Sequence, residues 1–270
     1  MWERFSYYGM RAFLVLFLVS TAGGFGWSKQ EAANLYGWYT GLVYLTPLFG
    51  GYLADRFFGT HRALIIGGIV IAAGHFCLAV PSRPTFFVGL ALIILGTGFF
   101  KSNISTMVGQ LYQPDDRRRD AAFTIFYMGI NTGAALGPVI CGYLAKSERF
   151  GWHWGFGAAG VGMVAGLVTY LAFKKRYLPG IGDVPAGRVA ERAGDVHQPL
   201  SSDDRRGIAA IAILAFFNIF FWVAFEQAGS SMNFFAEERT GRQFLGIDFL
   251  APYFQSVNPV AIIVMAPLSA

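Results

Sequence analysis

Five ionisable side chains stand inside stretches otherwise too apolar to hold them: Glu3, Arg4, Arg11, Lys101 and Glu226. A charge in hydrocarbon costs at least about 2.5–3.5 kcal/mol on insertion scales, so each of these groups needs a partner or a task. At about 100° per residue, Arg4, Tyr8 and Arg11 project within roughly 60° of one another along a helix. Two cations and a phenol on one strip cannot face lipid; they need other helices or a water-filled cavity. Lys101 stands alone between Phe99–Phe100 and Ser102, and Glu226 stands alone in FFWVAFEQAG. Carboxylates and a lysine around a polar cavity could relay protons and bind anions. The same groups could instead be static ion pairs joining helices, although buried pairs are weak evidence for stability. Glu3, close to the start of the sequence, could also be interfacial.

Other chemistries find little support. GTGFFKS, residues 96–102, has glycines ahead of Lys-Ser, but a phosphate-binding loop needs Gly directly before the Lys and a strand before the loop. Here Phe100 precedes Lys101 within one long apolar run. No Cys/His ligand cluster and no nucleophile–base constellation is apparent. Cys77 and Cys141 lie in apolar stretches and read as small packing residues. The expectation is therefore no enzyme activity, no cofactor, no metal and no nucleotide.

The elements that must position these residues are membrane helices. The chain is 54% hydrophobic and 17% aromatic, with 14% charged residues and a mean hydropathy of +0.46. Soluble globular chains carry about a quarter charged residues, so this composition cannot cover a water-soluble surface. A membrane-spanning helix needs roughly 20 mostly apolar residues. Eight segments predict such helices: 3–22, 34–54, 61–80, 85–111, 121–145, 152–173, 208–235 and 251–270. The runs are too long for strands and lack a period of two, which excludes a β-barrel. The first is not a cleaved leader, because it is too long and carries Arg11 inside. Gly129, Gly133 and Gly137 recur every four residues on the fifth helix, a small-residue face for close packing. Pro47 and Pro138 fall inside helices, where neighbours can satisfy the freed backbone groups.

The net charge of +5 could suggest nucleic acid, but the basic residues sit in short loops between apolar runs. Loops after the even-numbered helices hold Arg56, Arg62, Arg117, Arg118, Arg119, Lys174, Lys175, Arg176, Arg188, Arg192, Arg205 and Arg206. Loops after the odd-numbered helices hold Lys29, Arg83, Lys146, Arg149, Arg239 and Arg242. The excess places the even loops, and with them the N-terminus, in the cytoplasm. The expected organisation is a six-helix transmembrane bundle over 1–173, a polar cytoplasmic linker over 174–206, and the start of a second bundle over 207–270. A six-helix half, a linker and a second half is the plan of a major facilitator carrier.

Several motifs then resemble one family, the proton-dependent oligopeptide transporters of the major facilitator superfamily. WERFSYYGMRA resembles its first-helix ExxERFxYYG motif. GGYLADRFFGTHR, residues 50–62, resembles the loop between the second and third helices, in which Gly51, Asp55 and Arg56 would form a cytoplasmic gate. GTGFFKSNIS and FTIFYMGINTGAALGP resemble the fourth- and fifth-helix signatures. FWVAFEQAGSS and FQSVNPVAIIVMAP resemble the seventh and eighth. The matches fall in order along nearly the whole chain.

The resemblance implies an all-α polytopic membrane protein with the major facilitator fold, in its first six helices and about two more. It implies proton-coupled import of di- and tripeptides, a lipid bilayer as surroundings, and no nucleic acid. Glu3, Arg4, Lys101 and Glu226 would couple protons. Lys101 and Arg11 would meet the peptide carboxylate. Tyr8, Tyr44 and Tyr127 would line the peptide cavity, and Asn131 and Asn258 would bond the peptide backbone and amino end. Read without the family, these tyrosines could equally be packing residues and the asparagines interhelical bonds.

Three departures qualify this. The first Glu of ExxER would fall just before Met1. Ser102 stands where the family commonly has Pro. The sequence given closes inside the eighth helix, ahead of the family's tenth-helix acid. A same-family carrier of nitrate or another small anion, and a non-transporting fragment, are the alternatives. The expected location is the inner (plasma) membrane.

Overall fold

The computed structural model describes residues 1–113, 115–187, 201–244 and 246–265. Arg188, Arg192 and the last five positions of the eighth expected segment lie outside the described residues. The first six helices are α1 (Trp2–Val19), α2 (Lys29–Leu53), α3 (Thr60–Leu78), α4 (Arg83–Gly109), α5 (Arg118–Lys146) and α6 (Trp152–Tyr177). They are followed by α7 (Ser202–Phe225), the short α8 (Ser231–Glu238) and α9 (Phe254–Met265). A single antiparallel hairpin, Gln243–Phe244 with Ile247–Asp248, stands between α8 and α9.

Helix ends differ from expectation where caps were overlooked. α2 begins at Lys29 rather than 34 because Ser28 and Glu31 form a capping box: the Glu31 N–H donates to Ser28 Oγ, and the Ser28 N–H to Glu31 Oε2. Ser201 and Asp204 repeat the device, so α7 starts at Ser202 rather than 208. α6 runs on through Lys174–Lys175–Arg176, cations that suit the negative end of a helix dipole. Lys174, although buried, is paired with Asp183 at 2.9 Å.

The largest difference lies in the seventh segment. The continuous helix expected over 208–235 stops at Phe225, passes through a 3-10 turn at Glu226–Gly229 and restarts at Ser231. The Gln227 side-chain oxygen accepts from both Ser230 and Ser231, competing with helical bonding at that point.

α1 is the axis of the bundle. From Met10 to Leu18 it is buried on every side, against α5, α6, α2 and α8. Phe13, Phe17, Phe86 and Phe156 pack together near its C-terminal end, with Phe13 and Phe156 centroids 4.8 Å apart. Small residues permit the close approaches. A Cβ on Gly67 would sit 2.7 Å from the Gly96 carbonyl oxygen, and one on Gly137 would meet the α1 backbone at Phe5 and Gly9. Gly133 also packs on α1, whereas Gly129 meets nothing within 4 Å, so the expected glycine face is used at two of its three positions.

Five helical segments among the described residues are long and apolar enough to cross a membrane: α3, α4, α5, α6 and the run Ser202–Glu238. α1 and α2 fall short for a reason that bears on function: α1 carries Glu3, Arg4 and Arg11, and α2 carries a tyrosine and threonine stripe. No residue of α7 is buried although it is apolar on all sides.

Candidate functional site

The broken seventh helix delivers Glu226 to α1. Arg11 Nη1 lies 2.8 Å from Glu226 Oε2, with the two side chains 3% and 18% exposed. Two phenols complete the carboxylate: Tyr44 donates to Oε1 at 3.2 Å and Tyr36 to Oε2 at 3.5 Å. The Arg11 guanidinium also sits over the rings of Tyr7, Tyr8 and Tyr36, at 5.7, 5.3 and 5.9 Å from their centroids. Those rings replace part of the hydration a buried cation gives up. Gly229 is required beside this cluster, because a Cβ there would collide with the Tyr36 hydroxyl.

Lys101 joins through an aromatic ring. Its Nζ lies 3.6 Å from the Tyr44 centroid, and no carboxylate among the described residues comes within ion-pair distance. Tyr44 thus receives Lys101 on its ring and offers its hydroxyl to Glu226, linking α4 to α7 through α2. Among the described residues no ion pair joins Lys101 to Glu3 of the first helix. Glu3 instead pairs with its neighbour Arg4, Oε2 to Nε at 3.2 Å. Glu3 and Arg4 line a separate cavity of about 270 Å³ with Phe100, Ile104 and Ile130.

Two larger cavities meet at Trp222, which lines both. One, of about 580 Å³, brings together Tyr8, Arg11, Tyr127, Asn131 and Asn258 from α1, α5 and α9, with Phe225, Asn233 and Gln255 opposite. The other, of about 750 Å³, lies between α2 and α7 and holds Tyr36, Thr40, Tyr44, Asn218 and Glu226. Asn131 donates to the Tyr127 carbonyl at 2.9 Å within its own helix, which fixes its amide orientation.

The gate residues stand elsewhere. Asp55 and Arg56 are exposed on the π-helical turn Ala54–Phe58 that follows α2; Arg56 donates to the Tyr52 hydroxyl at 3.4 Å, and its guanidinium lies 5.7 Å from the Phe57 ring centroid. Gly51 packs against Ser102 of α4. The contacts that hold this end of the bundle are different ones: the His61 N–H donates to the Gly182 carbonyl at 3.0 Å, and His61 Nδ1 lies 2.7 Å from the Tyr170 hydroxyl. Among the described residues, no group of three His, Cys, Asp or Glu side chains could hold a metal ion.

Sequence reasoning missed Tyr36, Trp222, Asn233 and Gln255. Tyr36 had a legible signal, since Tyr36, Thr40 and Tyr44 recur every four residues and so share one face of α2. The other three carry no spacing signal.

The sequence profile of the POT family matches residues 61–181 and 187–270. The chain belongs to the POT family. It is 36% identical to the peptide transporter YePEPT of Yersinia enterocolitica subsp. palearctica, over 99% of this chain and 64% of that protein. The di-/tripeptide transporter of Lactococcus lactis is 34% identical over 99% of this chain and 66% of its own length. A crystal structure of a POT peptide transporter in complex with sulfate superposes with a TM-score of 0.82 at 35% identity, covering 99% of this chain and 65% of that one. A POT family transporter in complex with 5-aminolevulinic acid superposes at 0.79 with 29% identity, over 99% and 66%. The chain therefore spans somewhat less than two thirds of these relatives. The all-α, multi-pass membrane architecture expected from the sequence, with the major facilitator fold, is the one found.

Proposed function

We propose that the protein is the corresponding part of a proton-coupled symporter that imports di- and tripeptides by alternating access. One observation carries the reading: Arg11, on the wall of a cavity of about 580 Å³ that is apolar over most of its lining, is ion-paired to Glu226, which lines the neighbouring cavity of about 750 Å³. Neutralising Glu226 with a proton would remove the anion that satisfies Arg11. The guanidinium would then be free to take another carboxylate in the same forked geometry, and a peptide's C-terminus is one. Asn131 and Asn258, on the same cavity, would bond the peptide backbone and amino end, and Tyr8 and Tyr127 would bound its side chains. Lys101 would receive the proton or the peptide carboxylate through its contact with Tyr44, with Glu3 and Arg4 completing the relay.

Binding at this site would bias the rocking of two bodies, 1–173 and 207–270, joined by 174–206, with Gly51, Asp55 and Arg56 closing the cytoplasmic side. The reading includes the inner membrane as location and a cytoplasmic N-terminus, supported by the distribution of basic loop residues.

The test uses the natural full-length protein in proteoliposomes, under an inward proton gradient, with a labelled dipeptide. The expected result is gradient-driven uptake blocked by excess unlabelled dipeptide and not by free amino acid or nitrate. Glu226→Gln should abolish driven uptake yet spare peptide exchange; driven uptake at the wild-type rate would remove Glu226 from the coupling. A second reading, a carrier of small anions, is favoured by the same free guanidinium and by a relative crystallised with sulfate. Competition by nitrate in place of dipeptide would select it.

A further inference from the structure

Arg11 and Ala12 are consecutive on α1, and each holds one side of the break in the seventh helix. At the first residue of the break, the Arg11 side chain binds Glu226 at 2.8 Å. After it, the Ala12 backbone carbonyl accepts the Asn233 side-chain N–H at 2.7 Å. Asn233 is 2% exposed, and its side-chain oxygen has no partner among the described residues. A buried amide with one half unsatisfied calls for an explanation, and its engaged half is the bond to Ala12. Gln255 of α9 reaches the same carbonyl at 3.4 Å, a weaker contact. Between the two attachments lie the 3-10 turn, Gly229 against Tyr36, and the Gln227–Ser230–Ser231 bonds.

The two attachments differ in kind. One is an ion pair that a proton can dissolve, and the other is an uncharged bond that pH leaves alone. The charged and titratable groups facing Glu226 are Arg11, Tyr7 and Tyr8 on α1, Tyr36 and Tyr44 on α2, and Lys101 on α4 behind the Tyr44 ring. None of these reaches Ala12 or Asn233 in the hydrogen bonds of the structure. We infer that Asn233 is a positioning residue for transport: it keeps α8 in register on α1 when the Arg11–Glu226 pair opens, so that movement is confined to the turn at Glu226–Ser230. Without it, α8 leaves α1 without needing the proton, and opening at the Lys29–Lys146 end of the bundle is uncoupled from Glu226. This inference rests on the proposed symport reading for its meaning, but not for its measurement.

The test is a distance, read in the natural full-length protein in nanodiscs with spin labels at Ala22 and Arg239, after Cys77→Ala and Cys141→Ala. Both label positions are exposed at that end. Asn233→Leu keeps the volume and removes the bond. At about pH 8 the long-distance population should rise about fivefold over wild type, with little further response to acid. Gln255→Leu, which removes the longer contact to the same carbonyl, should change it far less. Folded Asn233→Leu protein with the wild-type distribution at both alkaline and acid pH overturns the inference. A lowered melting temperature with an unchanged distribution overturns it too, as a merely structural role would. Should Asn233→Leu not fold, Asn233→Ala removes the same donor and is judged by the same outcomes. Because no substrate is needed, a wild type that fails to move dipeptides would sink the symport reading and leave this result standing.

Discussion

From Glu226 onward, the seventh-helix segment is tied to three other helices, whereas the 24 residues of α7 before it bury nothing. The tied part holds Arg11 through Glu226, Ala12 through Asn233, Lys146 through Glu237 at 2.7 Å, and Lys29 through Glu238 at 2.6 Å. At the opposite end of the bundle, Asp55 and Arg56 make no ion pair among the described residues, and Asp116 and Arg118 pair only with each other. Among the described residues, the ion pairs to the segment from Glu226 onward lie towards one end of the bundle and none joins it to Asp55, Arg56, Asp116 or Arg118 at the other. Under the proposed alternating access, such an asymmetry marks a state closed at one end. Two of these contacts, Lys146–Glu237 and Lys29–Glu238, are charge pairs of limited burial, which can be exchanged for water at small cost.

The comparison can be broken most strongly at Arg11. Arg11→Met leaves Glu226 without its cation, and removing one member of a buried pair costs about 3–5 kcal/mol. Gradient-driven dipeptide uptake should fall about 100-fold or more, and the Ala22–Arg239 label distance should lengthen. Retained uptake with an unchanged distance would mean the pair does not hold this end. Lys146→Met tests a more exposed tie. Lys146 and Glu237 are 19% and 25% exposed, and Glu237 keeps Arg242 at 3.1 Å. A loss of about 1 kcal/mol corresponds to an approximately fivefold shift toward the open end, readable in the same distance distribution.

The smallest effect belongs to the untied end. Arg118, through its guanidinium and its N–H, holds the Asp116 carboxyl below its usual range. A depressed carboxylate stabilises the fold above its unfolded pKa, and the contribution is lost as pH falls through the folded value, below about pH 4. Asp116→Asn should therefore lower the melting temperature slightly near neutral pH, and the variant and wild type should converge below about pH 4. Identical melting at neutral pH would show that this exposed pair adds nothing to the fold.

Much of this was legible in order along the chain. The charged strip Arg4–Tyr8–Arg11 predicts a cavity-facing helix because its period is that of α1, and the structure puts Tyr8 and Arg11 on one cavity wall. The capping box at Ser28–Glu31 was equally legible but overlooked, and it accounts for the early start of α2. The break at Glu226 was not legible as a break. FWVAFEQAGSS is apolar and helix-like by composition, and at the break the Gln227 side chain takes the Ser230 and Ser231 hydroxyls while Gly229 leaves room for the Tyr36 hydroxyl. That Lys101 meets the Tyr44 ring is likewise a matter of which helix lies opposite.

Local chemistry in the sequence determined the class of molecule: apolar runs of bilayer length, isolated charges within them, and motifs ordered as in the POT family. These follow from the period of a helix and the cost of charge in hydrocarbon, which act within about 20 residues. Only the tertiary structure decided which charges meet. Arg11 and Glu226 are 215 positions apart, and their pairing depends on helix crossings set by small residues and on a turn made by contact with another helix. Partner choice across a bundle is a long-range property, and no local pattern encodes it.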